Sequence, residues 1–157
     1  MHSKAFQDYY TDKFNHCYGC GQLNEQGLRI RTFWDGDETV TRYTPRACHT
    51  AIPGFVYGGL IASLIDCHGT GSAAAAAYRA AGQAMSDPPP HRFVTASLEV
   101  RYLKPTPLGP ELVLRGSIAE IKGRKIVVEI ELFAEDELCA QGRVTAVEIP
   151  EDWTPAR

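Results

Sequence analysis

Asp66 is a lone carboxylate inside a long apolar run, and the paired glycines Gly58 and Gly59 stand just ahead of that run. A carboxylate with an ordinary pKa, about 4, is ionised at neutral pH and can serve as nucleophile or as general base on water. Gly58 and Gly59 fall where a helix would begin, where unpaired amides and the macrodipole favour negative charge, and their missing side chains let a carbonyl come close. Thr70, one helical turn after Asp66, is placed to give its hydroxyl proton to the carboxylate. The competing expectation is structural, with Asp66 neutralised by a lysine, an arginine or hydrogen-bond donors elsewhere in the core.

A second set of reactive residues lies in Cys-Tyr-Gly-Cys-Gly, residues 17–21. The Cys17/Cys20 pair has the spacing of half a zinc site or of a redox pair. Only Cys48 and His49 stand near enough in sequence to complete four ligands, and no second ligand pair with standard spacing follows. A glycine-rich turn with buried thiols, and no metal, is therefore the favoured expectation. An isolated histidine, as His49 and His68 are, is expected to be structural, and His68 is two positions from Asp66, on another helix face.

The elements that must position these groups follow from hydrophobic period. Residues 58 to about 81 are Ala-rich, poor in β-branched residues and too long for a strand, which predicts a helix that stops before Pro88, Pro89 and Pro90. Residues 27–34 and 38–43 alternate around Asp35-Gly36-Asp37 and predict a β-hairpin. Four β-rich stretches follow, at 92–105, 111–121, 125–135 and 138–149, with short turns that imply antiparallel neighbours. In the first of these, Ala96, Leu98, Val100 and Tyr102 should form one face and Ser97, Glu99 and Arg101 the other. The fold class is thus α+β, one antiparallel sheet of five or six strands over one helix.

On that helix Gly59, Ala62, Asp66, Thr70 and Ala73 share a small-residue face, while Leu60, Ile61, Leu64 and Ile65 are free to fill the contact with the sheet. Gly58 and Asp66 are eight residues apart, about 12 Å along the axis. One carbonyl does not easily meet both on the same helix, and the mismatch is resolved if two such helices pack antiparallel about a two-fold axis, so that the acid of one subunit lies near the glycine turn of the other.

Bulk composition narrows the function. The chain has 157 residues, 44% hydrophobic and 22% charged, which suits one domain with one core. A net charge of −3 without a concentrated basic face argues against nucleic acid and anionic membrane as partners. The first residues have no apolar core of signal-peptide length, and Asp66, His68, Gly69 and Gly71 interrupt the most apolar segment. Five cysteines, an odd number, fit a reducing compartment, so a cytoplasmic location is expected.

Residues 15–33, 43–66 and 101–109 together resemble the hotdog-fold acyl-CoA thioesterases, in the phenylacetate-pathway-like branch whose motif is His-Gly-Gly with an acid eight residues after the first glycine. The resemblance covers nearly the whole chain as a single domain, 1–157, with a Cys-x-x-Cys-Gly segment at 14–26 and a tail at 150–157. It implies a sheet wrapped around a central helix, a homodimer or a tetramer built from dimers, and hydrolysis of a thioester to a carboxylic acid and coenzyme A. No separate cofactor is implied, since coenzyme A belongs to the substrate.

Carried over by position, Asp66 is the nucleophile or base and Gly58, with Gly59, supplies backbone amide to the thioester oxygen. Thr70 and Thr95 match positions that place a hydroxyl near the carboxylate or the water. Tyr57, a further catalytic-site candidate, stands where the pattern has histidine, and the candidate substrate-binding residues His49 and Thr50 fall in His49-Thr50-Ala51, where many members read His-Gln-Gly. The cations Arg101, Lys104, Lys122, Arg124 and Lys125 are the expected partners of the coenzyme's phosphates. Tyr57 and Thr50 motivate the alternative, a non-catalytic acyl-CoA or acyl-ligand binding protein; a zinc or redox protein using Cys17 and Cys20 is the third.

Overall fold

The computed structural model describes residues 3–153, so the last four residues of the expected tail lie outside the described residues. Two short 3-10 turns, Phe6–Tyr9 and Asp12–Phe14, precede β1 (Thr32–Asp35) and β2 (Glu38–Tyr43). The helix α1 (Gly58–Ala80) comes next, followed by β3 (Phe93–Tyr102), β4 (Leu112–Lys122), β5 (Lys125–Ala134) and β6 (Glu137–Glu148). All six strands form one antiparallel sheet in the order β1-β2-β4-β5-β6-β3. The predicted α+β layout of one sheet over one helix is what the chain adopts.

Alternation along β4, β5 and β6 turns Leu112, Leu114, Ile126, Val128, Ile130, Leu132 and Val144 to the interior, where they meet Leu60, Ile61, Leu64 and Ile65 of α1. The helix approaches β6 closely at two glycines. A Cβ on Gly142 would come within 2.2 Å of Ile65 Cγ2, and a Cβ on Gly69 within 2.5 Å of Val144. These two glycines, one in the sheet and one in the helix, each receive a branched side chain from the other layer.

A buried polar chain closes the other side of α1. His68 has no exposed surface, and burial holds its imidazole neutral with a pKa of about 3. Its Nδ1 is 2.8 Å from Thr41 Oγ1 and its Nε2 2.9 Å from Thr39 Oγ1, so a neutral ring donates at one nitrogen and accepts at the other. Ser72 Oγ donates to Thr39 Oγ1 at 2.8 Å. The chain continues from Thr41 to Thr32, whose amide donates to Gln7 Oε1 at 2.8 Å. His68 thereby joins the helix to the β1–β2 hairpin and to the first turn of the chain, which is the structural role expected of an isolated histidine.

Two expectations need correction. The first strand of the hairpin begins at Thr32 rather than at residue 27. Leu28 N and Ile30 N donate instead to Tyr18 O at 2.8 Å and Gly19 O at 2.9 Å, so the backbone at 28–30 is committed to the cysteine turn. Arg29, at φ 53°, also departs from strand geometry.

The second concerns β3, where a register shift between Thr95 and Ser97 makes Ala96 the extra residue of a bulge. Thr95, opposite Ala146, therefore shares the helix-facing side with Leu98, opposite Val144; without the bulge, an odd spacing of three would put them on opposite faces. Nor is one face of β3 buried. As the sheet edge it leaves Val94, Leu98 and Tyr102 exposed.

The helix–β6 contact yields a stability test. Gly142→Ala is expected to cost about 1–3 kcal/mol by overpacking. In a double-mutant cycle by chemical denaturation, Gly142→Ala with Ile65→Ala should destabilise by less than the sum of the single changes, and strict additivity would show that the two residues do not compete for one space.

Candidate active site

The turn into α1 is built from both sides of the glycine pair. Tyr57 is the N-cap residue, at φ −73° and ψ 144°, and makes no side-chain cap bond. The first amides of the helix therefore lack a capping oxygen from it. Its own amide donates to His49 O at 3.0 Å, and Val56 N donates to Thr106 O at 2.9 Å. Tyr102, from the end of β3, donates its hydroxyl proton to Gly58 O at 2.8 Å. The Tyr57 ring lies over Gly59, where a Cβ would come within 2.3 Å of Cε2. Gly59 is thus required for the ring to lie there.

His49 is buried, and its Nδ1 accepts from Arg46 N at 3.0 Å. Burial, with the Arg46 charge, lowers its pKa from the usual imidazole value. Thr50 is exposed and bridges to Val56. Both belong to the loop that supports the glycine turn.

Asp66 sits on the exposed side of the same helix at the other end of β3. Thr95 donates its hydroxyl proton to Asp66 Oδ1 at 2.5 Å, a contact made possible by the bulge at Ala96. Partial burial raises the Asp66 pKa from the ordinary carboxylate value, while the Thr95 hydrogen bond opposes that rise. Thr70 does not bond the carboxylate as expected. Its hydroxyl reaches back along the helix to Asp66 O at 3.3 Å and Cys67 O at 3.4 Å, the usual satisfaction of a threonine inside a helix.

Asp66, Thr70 and Thr95 line a cavity of ≈ 240 Å³ whose apolar wall includes Phe14, Tyr78 and Phe93. Gly58 opens elsewhere, into a shallow groove with Tyr102 and Lys104. Acid and glycine turn of one chain therefore address different spaces. Among the expected cations, Lys104 pairs with Glu137 at 3.7 Å beside that groove. Lys122 and Arg124 flank Gly123 in the β4–β5 turn, and Lys125 pairs with Glu120 at 3.0 Å. The register Lys125↔Val147 puts this turn at the same end of the sheet as Thr95, opposite Ala146. Arg101 faces a depression on the other side of the sheet with Glu99 and Arg143.

Three features were missed in the sequence. The segment before β1 walls the Asp66 cavity through Tyr10 and Phe14, and Arg92 stacks 3.4 Å from the Phe14 ring centroid. Tyr102 holds Gly58, a contact that neither residue's spacing signals. The third concerns the thiols: Cys67, next to Asp66, brings its Sγ into one cluster with Cys17 and Cys20, all within 4.8 Å of one another. Neither Cys48 nor His49 joins them.

The family described as the thioesterase superfamily matches residues 53–141, which span the glycine turn, Asp66 and Thr95. The chain belongs to the thioesterase superfamily. A crystal structure of a thioesterase superfamily protein from Shewanella loihica is 49% identical, with a TM-score of 0.68, covering 90% of this chain and 100% of that one. The acyl-coenzyme A thioesterase THEM4 of Mus musculus is 36% identical over 101 residues, 64% of this chain and 38% of its own length. The chain thus spans under two fifths of that curated relative. Thioesterase HI1161 of Haemophilus influenzae, 18% identical with a TM-score of 0.65 over 82% of this chain and 86% of its own, shares the fold. The six-stranded antiparallel sheet with one long helix is the hotdog fold of this superfamily. No helix among the described residues is long and apolar enough to cross a membrane.

Loss of the Tyr102 anchor has a local signature in this thioesterase-superfamily chain. Tyr102→Phe should cost about 1 kcal/mol and speed amide hydrogen exchange in the first turn of α1, with the Thr95 end of β3 unaffected. Unchanged exchange at residues 58–62 would show that the hydroxyl does not hold the turn.

Proposed function

We propose that this chain hydrolyses acyl-CoA thioesters, with Asp66 as nucleophile or general base and the Gly58 amide as donor to the carbonyl oxygen across a subunit interface. The observation that carries the reading is a carboxylate held by Thr95 in the lining of a largely apolar cavity, on a helix whose own glycine-rich N-terminus opens into a different groove. The names of the curated relatives, acyl-coenzyme A thioesterases, supply the substrate class.

As nucleophile, the carboxylate adds to the thioester carbonyl and expels coenzyme A thiolate, leaving an acyl anhydride on Asp66 that water cleaves. As general base it takes a proton from water, whose oxygen attacks the carbonyl directly. Both routes end at the carboxylic acid and coenzyme A, and in both the oxygen gains negative charge that a backbone amide at a helix N-terminus stabilises. Thr95 acts by orienting the carboxylate. Tyr57 covers Gly59 and shapes the approach to the oxyanion position.

The assembly is a homodimer, alone or paired into a tetramer, joined through β3. This edge strand leaves Val94 exposed at the Asp66 cavity, Leu98 exposed along its length and Tyr102 exposed at the Gly58 groove, and antiparallel pairing of two such edges would cover them. It would also bring each Asp66 toward the partner subunit's Gly58. The phosphates of coenzyme A are met by Lys122, Arg124 and Lys125. Five free thiols suit a reducing, cytoplasmic setting. The second reading, an acyl-CoA binding protein without turnover, is favoured by Tyr57 in the place of the family's histidine.

A thiol-release assay over short, long and aryl acyl-CoA esters separates the two. Wild-type protein should release thiol, and Asp66→Asn should lower the rate by at least about a hundredfold without weakening binding to the same degree. Binding of the esters with no release above background would establish the second reading. Replacing Lys122, Arg124 and Lys125 together by serine should raise KM several-fold at nearly constant kcat, and an unchanged KM would remove these residues from the coenzyme site.

A further inference from the structure

Among the described residues, the cysteine turn is a reactive cluster that the proposed thioester hydrolysis leaves unused. Cys17 and Cys20 are presented by a turn that is fixed in advance: Gly21 N donates to Cys17 O at 2.7 Å, and the backbone at residues 28–30 donates to Tyr18 O and Gly19 O. Cys67 reaches the same point from α1, where Gly19 makes room for it. A Cβ on Gly19 would fall 2.3 Å from Cys67 Sγ and 3.7 Å from Cys17 Sγ. Three thiols from two separate parts of the chain thus converge within 4.8 Å, and all three are unpaired.

The spacing suits a metal better than a disulfide. Zinc–sulfur bonds of about 2.3 Å in a tetrahedron set the sulfur–sulfur edge at about 3.8 Å, whereas a disulfide needs about 2.05 Å. The Cys17 and Cys67 sulfurs are 3.9 Å apart. Cys17 is exposed, and all three cysteines line the cavity that contains Asp66, which gives an ion a way in.

We propose that Cys17, Cys20 and Cys67 bind one zinc ion, with the fourth coordination position turned toward the Asp66 cavity. Binding releases thiol protons to solvent, involves no oxidation, and clamps the segment before β1 onto the helix that carries Asp66. The expectation of no metal rested on Cys48 and His49 as the only completions. The third ligand comes instead from Cys67, fifty residues from Cys17, where ligand spacing in the sequence could not reveal it.

The test uses the full chain and reads metal, so its result is independent of thioesterase activity. Protein purified with reductant and without chelator should contain about one zinc per chain by elemental analysis. Cobalt(II) loaded into the metal-free protein should give thiolate charge-transfer bands and the intense visible bands of a tetrahedral site. Cys67→Ser and, at the exposed position, Cys17→Ser should each lower zinc affinity at least tenfold and weaken those bands; Cys48→Ser should change neither. Absence of zinc and of cobalt bands in folded wild-type protein would overturn the proposal, as would full binding by both Cys67→Ser and Cys17→Ser, or a Cys17–Cys67 disulfide in the protein isolated without oxidant.

Discussion

A helix rises 1.5 Å per residue, so the eight residues from Gly58 to Asp66 hold the glycine turn and the acid about 12 Å apart. The rest of the site depends on that fixed separation. Each end is anchored to β3: Tyr102 bonds the Gly58 carbonyl, and Thr95 bonds the Asp66 carboxylate. The helix is further locked to the sheet by Ile65 against Gly142 and Gly69 against Val144. Neither group can slide toward the other, and a carbonyl that needs both must find one of them on a second chain.

The same rigidity explains how an acid is tolerated on a helix whose other faces are buried. Asp66 faces the cavity with Thr70 and Ala74, away from the leucines and isoleucines that fill the sheet contact, while Ala73, expected on the same face, is packed in the core. It keeps partial access to water and gains one strong donor, so its charge is neither stranded nor neutralised by an ion pair. His68, two residues on, has the opposite arrangement: fully buried, neutral, and satisfied at both ring nitrogens by threonine hydroxyls. Two residues apart on one helix, a cavity-facing carboxylate and a buried structural histidine are thus separated by direction alone.

Much of this was legible in the sequence because it is local. The boundaries of α1, the four strands after it, the glycine turn and the acid each follow from period or composition within a short window. What was illegible depends on contacts between distant segments. The start of β1 was misplaced because the backbone at 28–30 bonds the cysteine turn, a non-local partner that no alternation pattern records. The bulge removed Ala96 from the face expected to hold it with Leu98, Val100 and Tyr102, and nothing in the local sequence marks the extra residue. The third thiol is fifty residues from the first, and Tyr102 is 44 residues from the carbonyl it holds.

The central claim is that the acid of one chain works with the glycine turn of another, and it is tested most directly by mixing inactive partners. Asp66→Asn and a glycine-turn variant, Gly59→Val, are each expected to lack activity as homodimers. Isolated heterodimers, verified by two affinity tags, hold one site with both groups intact if the site is shared, and should recover up to half of the wild-type rate. Heterodimers as inactive as their parents would contradict the account and place both groups in a single chain.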